Sequence, residues 1–266
     1  MPAWTCTRHS DRASRVSAYG RPAIRSDARG ALATLIAARP RVPAIRPSAR
    51  ALAWIRAVLF VSALVPLARL FALGYADALG ANPVEFVTRS TGTWTLVMLC
   101  ATLSVTPLRR LLGWPWLLRL RRMLGLFAFF YATLHFTTWL WFDQWFDPAS
   151  MLADIMKRPF VTVGFTAFVL LLPLAATSTQ AMMRRLGRRW QELHRLVYAI
   201  ALLGVLHYWW AKAGKNDVAE PFVYALVVAG LLAFRLVWTT AGAVRARRAT
   251  PPSRARAPGR PGRRRP

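Results

Sequence analysis

Between residues 52 and 241 the chain is a succession of six apolar runs, at 52–75, 93–106, 123–142, 160–176, 194–210 and 222–241. A helix needs about 20 mostly apolar residues to cross the hydrocarbon of a bilayer, within a range of about 17–25. Five of the runs meet that length as they stand. The second meets it when extended forward through Leu112 or back to Ser90. Lipid offers no hydrogen bonds to backbone N–H and C=O groups, so each run must be a helix. The expected fold class is an all-α integral membrane protein, a six-transmembrane-helix bundle. Composition excludes a soluble globular enzyme: 55% of the residues are apolar and only 18% charged, against about 45–50% and about 25% in soluble domains.

The net charge of +27 has a place in this layout. Basic residues in the five loops between the runs number 1, 5, 2, 4 and 2, with Arg-rich segments before the first run and after the last. Positive residues mark the cytoplasmic side. The alternation therefore predicts both termini in the cytoplasm, and it makes the charge a topology signal; no nucleic acid partner is expected. Seven of the ten acids, Asp77, Glu85, Asp143, Asp147, Asp154, Asp217 and Glu220, fall on the outer side. Trp139, Trp141, Trp145, Trp209 and Trp210 form an outer aromatic belt, and Trp114, Trp116 and Trp190 sit at the inner interface.

Three segments follow. Residues 1–50 carry ten arginines against Asp11 and Asp27, and their longest apolar stretch, 31–38, is too short to span. They lack a secretory h-region with a cleavage site; the composition also resembles a transit peptide. A disordered Arg/Ala/Pro-rich extension is expected there. Residues 51–243 hold the transmembrane domain, and 244–266 form an Arg/Pro-rich tail expected to be disordered. No repeat period is visible. Cys6 and Cys100 are not expected to pair, and no cysteine cluster exists for zinc or iron–sulfur chemistry.

The histidines carry the chemistry. An ionisable side chain inside a membrane is costly and marks function. His135 lies two-thirds of the way along the third run and His207 at a similar depth in the fifth, and both runs head outward. Two neutral imidazoles at equal depth on two helices would suit the two axial positions of one haem iron. Ala128 and Ala132 precede His135 on its face, and Gly204 precedes His207, leaving low patches beside each ring. His194 stands thirteen residues before His207, roughly 20 Å along a helix axis and roughly 140° around it. A second site near the inner face would need a π-bulge or an adjusted helix start to align the two. Fourteen residues before His135 stands Arg121, beside Arg122, where no matching histidine exists. Arg69 or Lys212 could pair a haem carboxylate.

Other readings of the same residues stay open: a proton or ion pathway, a metal or solute transporter, or a structural anchor with packed histidines. Transporters show repeated halves or helices broken at the midplane; Pro66 and Pro173 could break helices, yet no repeated half is visible. No phosphate-binding glycine loop and no dinucleotide fingerprint occurs.

Several strings resemble a known family. RRMLGLFAFFYATLHFTTW (121–139), TSTQAMMRRLGRRWQELHRLVY (177–198), LHYWW (206–210), SVTPLRR (104–110) and KRPFVTVG (157–164) are similar to MsrQ proteins, also called YedZ. These belong to the ferric-reductase-like transmembrane group, distant relatives of the NADPH oxidases. The likeness covers roughly residues 52–240. It implies the haem-binding membrane subunit of a bacterial methionine sulfoxide reductase system, multi-pass in the inner membrane. Such a cytochrome would take electrons from the respiratory quinone pool and pass them to MsrP, a periplasmic molybdopterin enzyme that repairs oxidised envelope proteins. Substrate turnover would then occur on the partner. The likeness also implies FMN, with a cytosolic flavin reductase as a further donor. It assigns haem b to His135 and His207 and makes His194 the third membrane histidine. Arg121 falls where the oxidase relatives carry a second histidine, so His194 could work with Arg121, face a quinone, or lie near flavin. Only about twenty-five residues follow the sixth run, whereas a βαβ unit alone needs about 30 or more. Electrons are therefore expected to arrive from another carrier, not as hydride from a nicotinamide domain of this chain. A quinol-linked cytochrome or ferric reductase with another acceptor remains the redox alternative.

Overall fold

The computed structural model describes residues 46–214 and 217–249, with side chains as far as residue 241. Of the basic extensions expected to be disordered over 1–50 and 244–266, residues 1–45 and 250–266 lie outside the described residues, as do Cys6 and Lys215, whereas 49–50 and 244–249 are helical. The described residues form nine α-helices and no strand. Six of these, with their flanking turns, are long and apolar enough to cross a membrane.

Helix α1 spans Ala49–Tyr75, and the Ser48 hydroxyl caps it by accepting from the Ala51 N–H at 3.1 Å. Pro66 sits inside this helix without ending it. Helix α2 spans Pro83–Leu112. Asn82 caps its start and Gly113, at φ +69°, ends it in the left-handed region that glycine adopts without strain. The second apolar run reads as short because α2 overshoots it at both ends. Its threonines blur the pattern further: the hydroxyls of Thr91, Thr95 and Thr102 bond to carbonyls of their own helix, which hides their polarity.

A 3₁₀ turn at Pro115–Leu117 leads into α3, Leu118–Thr138, which continues as a π-helical turn at Trp139–Asp143. Helix α4, Pro148–Lys157, is a short connector capped by the Asp147 carboxylate. Helix α5 spans Pro159–Ala176. Helices α6, Gln180–Leu186, and α7, Arg188–Leu193, follow. The chain turns at His194 and Arg195 before α8, Leu196–Ala213. Helix α9 spans Ala219–Ala249. The fifth membrane crossing is therefore α7 and α8 with a break at His194. The chain thus departs from one regular helix between His194 and His207.

The helices pack as two pairs. Helix α2 lies along α3, and α5 lies along α8; α9 rests on α8 and α2, while α1 touches α2 and α3. Leu99, Leu103, Leu124, Ala128, Tyr131, Ile200 and Ala201 fill the space between the pairs. Tyr131 is fully buried and its hydroxyl donates to the Ala63 carbonyl of α1 at 2.6 Å, tying the sparsely packed first helix to α3. With six crossings, α1 starts and α9 finishes at the same end of the bundle. Arg109, Arg110, Arg119, Arg121, Arg122 and Arg195 belong to that Arg-rich end; seven acids belong to the opposite, acidic end.

Candidate functional site

Helices α3 and α8 bring His135 and His207 together, with ring centroids 6.0 Å apart and planes at 75°. Each ring is held by the partner helix of its own pair. His135 Nδ1 donates to the Thr88 carbonyl on α2 at 2.9 Å, and His207 Nδ1 donates to the Phe160 carbonyl on α5 at 2.7 Å. A carbonyl can only accept, so Nδ1 carries the proton in both rings. The lone pair of each Nε2 is left free, the form in which imidazole ligates a metal.

Glycines make room for the rings. A Cβ on Gly92 would stand 3.0 Å from His135 Cε1, and one on Gly164 would stand 2.6 Å from His207 Nδ1. Gly92 lies one helical turn after Thr88, and Gly164 one turn after Phe160. Each histidine thus rests on a glycine and bonds to the carbonyl four residues earlier. The two devices match in spacing: His135 and Thr88 are 47 residues apart, and so are His207 and Phe160. The two devices thus repeat one another, although no repeat period is visible in the sequence. The repeat escapes a search for residue repeats because it is carried by a glycine, a backbone carbonyl and a histidine, while the side chains around them differ.

Both histidines line one cavity of about 330 Å³, opening toward the acidic end. Much of its lining is apolar, with Leu96, Leu99, Ala132, Gly204 and Ile200 together with Phe136 and Phe168, whose stacked rings lie 4.5 Å apart. Ala132 and Gly204 are beside the rings as expected. Ala128 is instead sealed in the core. At the mouth stand Arg89, Arg158 and Lys212. Lys212 is only 4% exposed, bonds to Asp217 and lies 3.9 Å from Glu220. Arg89 reaches Glu85 at 3.6 Å and Asp217 at 4.0 Å, and Arg158 pairs with Asp154 at 2.9 Å. Arg69 is exposed and does not line the cavity.

Two metal–imidazole bonds of about 2 Å each, with half a ring beyond each nitrogen, account for a centroid separation near the one observed. Among the described residues no group of three or more His, Cys, Asp or Glu side chains converges on a metal position. A bare ion would find only two protein ligands here, whereas an iron that arrives with four porphyrin nitrogens needs two. Free Nε2 atoms, glycine relief, a largely apolar lining and cations at the mouth fit a haem, an apolar macrocycle with two carboxylates.

His194 and Arg121 are not part of this cavity. The His194 ring stacks on Trp190 with centroids 3.9 Å apart, and its Nδ1 bonds to the Trp190 carbonyl at 3.0 Å. Its Nε2 is buried without a partner. Arg121 lines a separate small void with Tyr198 and Arg235. The four residues singled out from sequence thus divide into a pair that meets at the cavity and a pair at the Arg-rich end. Sequence reasoning missed Gly92, Gly164 and Arg89 at the first of these. The equal 43-residue intervals from Gly92 to His135 and from Gly164 to His207 were the available signal.

Fold and site together define a multi-pass membrane protein with an intramembrane site of paired imidazoles. Residues 91–205 match the family described as ferric reductase like transmembrane component. Three relatives are called protein-methionine-sulfoxide reductase heme-binding subunit MsrQ. That of Herminiimonas arsenicoxydans is 62% identical over 72% of this chain and 88% of its own length. Those of Ralstonia nicotianae and Bordetella pertussis are 63% and 60% identical, over 76% and 77% of this chain and 93% and 100% of their own lengths. The chain belongs to this MsrQ family. No solved structure matches it.

Proposed function

We propose that the protein is a membrane cytochrome b of the inner membrane, with haem b held by His135 and His207. It would pass electrons from the respiratory quinone pool to a periplasmic, MsrP-like molybdopterin methionine sulfoxide reductase. The observation that carries this reading is the His135–His207 pair, with both Nδ1 atoms committed to carbonyls and both Nε2 atoms free. The names of the relatives, which specify heme binding and methionine sulfoxide reductase, agree with it. Bound haem supplies one-electron chemistry, and the protein supplies placement and electrostatics.

The chain's own residues divide that work. His135 and His207 would hold the haem iron through their free Nε2 atoms. Thr88 and Phe160 fix tautomer and ring direction. Gly92 and Gly164 let the rings approach the helices. Arg89 and Lys212 would receive the carboxylates, in exchange for their present contacts with Asp217 and Glu220. A haem held there would lie toward the acidic end, which the charge pattern predicts to be periplasmic. Electrons would enter at the Arg-rich end near His194 and Arg121, from quinol or through FMN and a cytosolic flavin reductase.

The test is a reduced-minus-oxidised visible spectrum of the purified protein with haem quantified on the same sample. A low-spin b-type band is expected, lost in His135→Ala and in His207→Ala and kept in His194→Ala. A full haem complement in either of the first two variants would refute the axial pair. Reduction of the periplasmic enzyme by quinol, with and without this protein, tests the direction of flow.

A further inference from the structure

Helix α5 is short for a crossing. Its 18 residues measure roughly 27 Å along the axis at about 1.5 Å per residue, against a hydrocarbon thickness of about 30 Å. Both ends of α5 therefore lie at the boundary between hydrocarbon and headgroups. Only Arg158 separates α5 from α4, and α4 rests on α5. The connector is thus held at the depth of the membrane interface, at the acidic end of the bundle.

Helix α4 has two unlike faces. Ser150 and Asp154 share one. The Ser150 hydroxyl donates to the Gln144 side-chain carbonyl at 2.6 Å. The Asp154 carboxylate accepts from Trp139 Nε1 at 3.1 Å and from Gln144 Nε2 at 3.2 Å, and it pairs with Arg158. These bonds tie α4, near its start and near its end, to the residues that finish the third crossing. The helix therefore lies across the ends of the crossings. Leu152 and Met156 stand on the opposite face, roughly 160° around an ideal helix, and both are exposed.

The turn before α4 extends this apolar surface. Trp145 and Phe146 have φ of +50° and +61°, in the left-handed region that bulky residues avoid. Both side chains are exposed, Trp145 by 76%. Trp141 and Phe142 are exposed too, and the Trp141 ring lies 6.2 Å from Phe142 and 6.1 Å from Phe146. A strained backbone persists where its surroundings compensate for it, and two aromatic rings in water would not. Exposed apolar patches of this kind mark a protein partner or a membrane. Position decides between them. The patch lies at interface depth, joined on both sides to crossings whose own exposed apolar side chains, such as Leu126, Val169 and Leu172, face lipid.

We propose that α4 and the turn before it form an amphipathic anchor in the phospholipid interface at the acidic end. Leu152, Met156, Trp145 and Phe146 enter the lipid, and the Asp154 face packs against the bundle. Such a helix seats its apolar face about 5–10 Å into the boundary of headgroups and acyl chains, where Trp is favoured. Lys157, exposed at the end of α4, extends to the headgroup phosphates. Trp139 and Arg158, both held by Asp154, line the cavity. Lipid that seats one face of α4 therefore steadies the cavity mouth through the other.

Depth measurement on the full chain, in discs of phosphatidylethanolamine and phosphatidylglycerol, tests this. In a Cys6→Ser/Cys100→Ser background, Leu152→Cys, Met156→Cys and Lys157→Cys each receive one nitroxide label. Collision with lipid-soluble oxygen and with a water-soluble nickel chelate gives the depth of each label. Those at positions 152 and 156 should lie about 5–10 Å below the phosphates, and the one at 157 at the phosphates or in water. Labels at 152 and 156 as open to the nickel chelate as the one at 157 would overturn the proposal. So would labels that sit in water and become shielded only when the periplasmic reductase is added, since the face would then dock protein. The variant Leu152→Ser/Met156→Ser keeps the Asp154 bonds. Amide hydrogen exchange across 148–157 should be faster in it than in wild type; equal exchange would show that lipid does not hold the helix and would also overturn the proposal. None of these readouts uses haem, so failure here is distinguishable from failure of the cytochrome reading.

Discussion

A Cβ placed on Gly164 would stand 2.6 Å from Nδ1 of His207 and 2.7 Å from its Cε1. That is closer than non-bonded atoms approach, and the obstructing atoms belong to a ring, not to a flexible side-chain tip. Gly164→Ala must therefore displace His207 and break its bond to the Phe160 carbonyl. Losing such an orienting contact costs about 10–100-fold in metal affinity. The expected outcome is a haem-to-protein ratio well below wild type. Gly92→Ala meets His135 at 3.0 and 3.1 Å, so a small shift relieves it and haem loss should be partial. Haem quantification of the two variants checks the order; a full complement in Gly164→Ala would show that the ring is not seated on this glycine.

Lys212 makes a second prediction. It is buried at the cavity mouth and bonded to Asp217. Lys212→Met removes a positive charge near the cofactor and leaves Asp217 and Glu220 without that partner. Oxidised haem is the more positive state, so losing a nearby cation favours it. The midpoint potential should fall by tens of millivolts, and haem should bind more weakly through loss of a carboxylate contact. Potentiometric titration reads the first effect and haem transfer to apomyoglobin the second. An unchanged potential would place the carboxylates elsewhere.

Much of the frame was legible in the sequence because membrane physics leaves few options. Apolar length specifies a crossing, and the arginine alternation specifies an even number of them. His135 and His207 were legible because an ionisable side chain in lipid demands a reason. The device that holds them was not, since half of it is backbone: the Thr88 and Phe160 carbonyls carry no residue signature. Ala128 illustrates the limit of helical spacing. It shares a face with His135, yet that face divides between cavity and core, and Ala128 is fully buried in the core. The short helices α4 and α6 were also missed. They lie in loops with Pro, Asp and Thr caps but too few apolar residues to stand out as runs.

Tyr131 provides a prediction about stability alone. Its hydroxyl spans from α3 to the Ala63 carbonyl of α1. That carbonyl belongs to a continuous helix, so Tyr131→Phe leaves it an intrahelical partner. Interhelical hydrogen bonds in membrane proteins average about 0.6 kcal/mol, and the change should cost about that much. The haem spectrum should not move, because Tyr131 does not line the cavity. Denaturant unfolding in detergent measures the difference. A loss above about 2 kcal/mol would mean that the ring, not the hydroxyl, had lost its packing.

Asp217 predicts the pH dependence at the mouth. The Lys212 ammonium beside it, with a smaller contribution from Arg89, holds its carboxyl below the usual carboxylate range. A carboxylate with a lowered folded-state pKa stabilises the folded protein above its unfolded value, about 3.9. That contribution is lost as pH falls through the lower folded value. Wild type should therefore lose stability relative to Asp217→Asn below about pH 4 and hold its advantage at neutral pH. The side chain is half exposed, so salt should shrink the difference. Thermal unfolding of both proteins across that pH window, at low and high ionic strength, checks sign and screening together. In the haem-loaded protein the gap should narrow at every pH, because Lys212 would then be shared with a cofactor carboxylate. A gap that survives haem loading unchanged would separate Lys212 from the cofactor and leave it as a structural partner of Asp217.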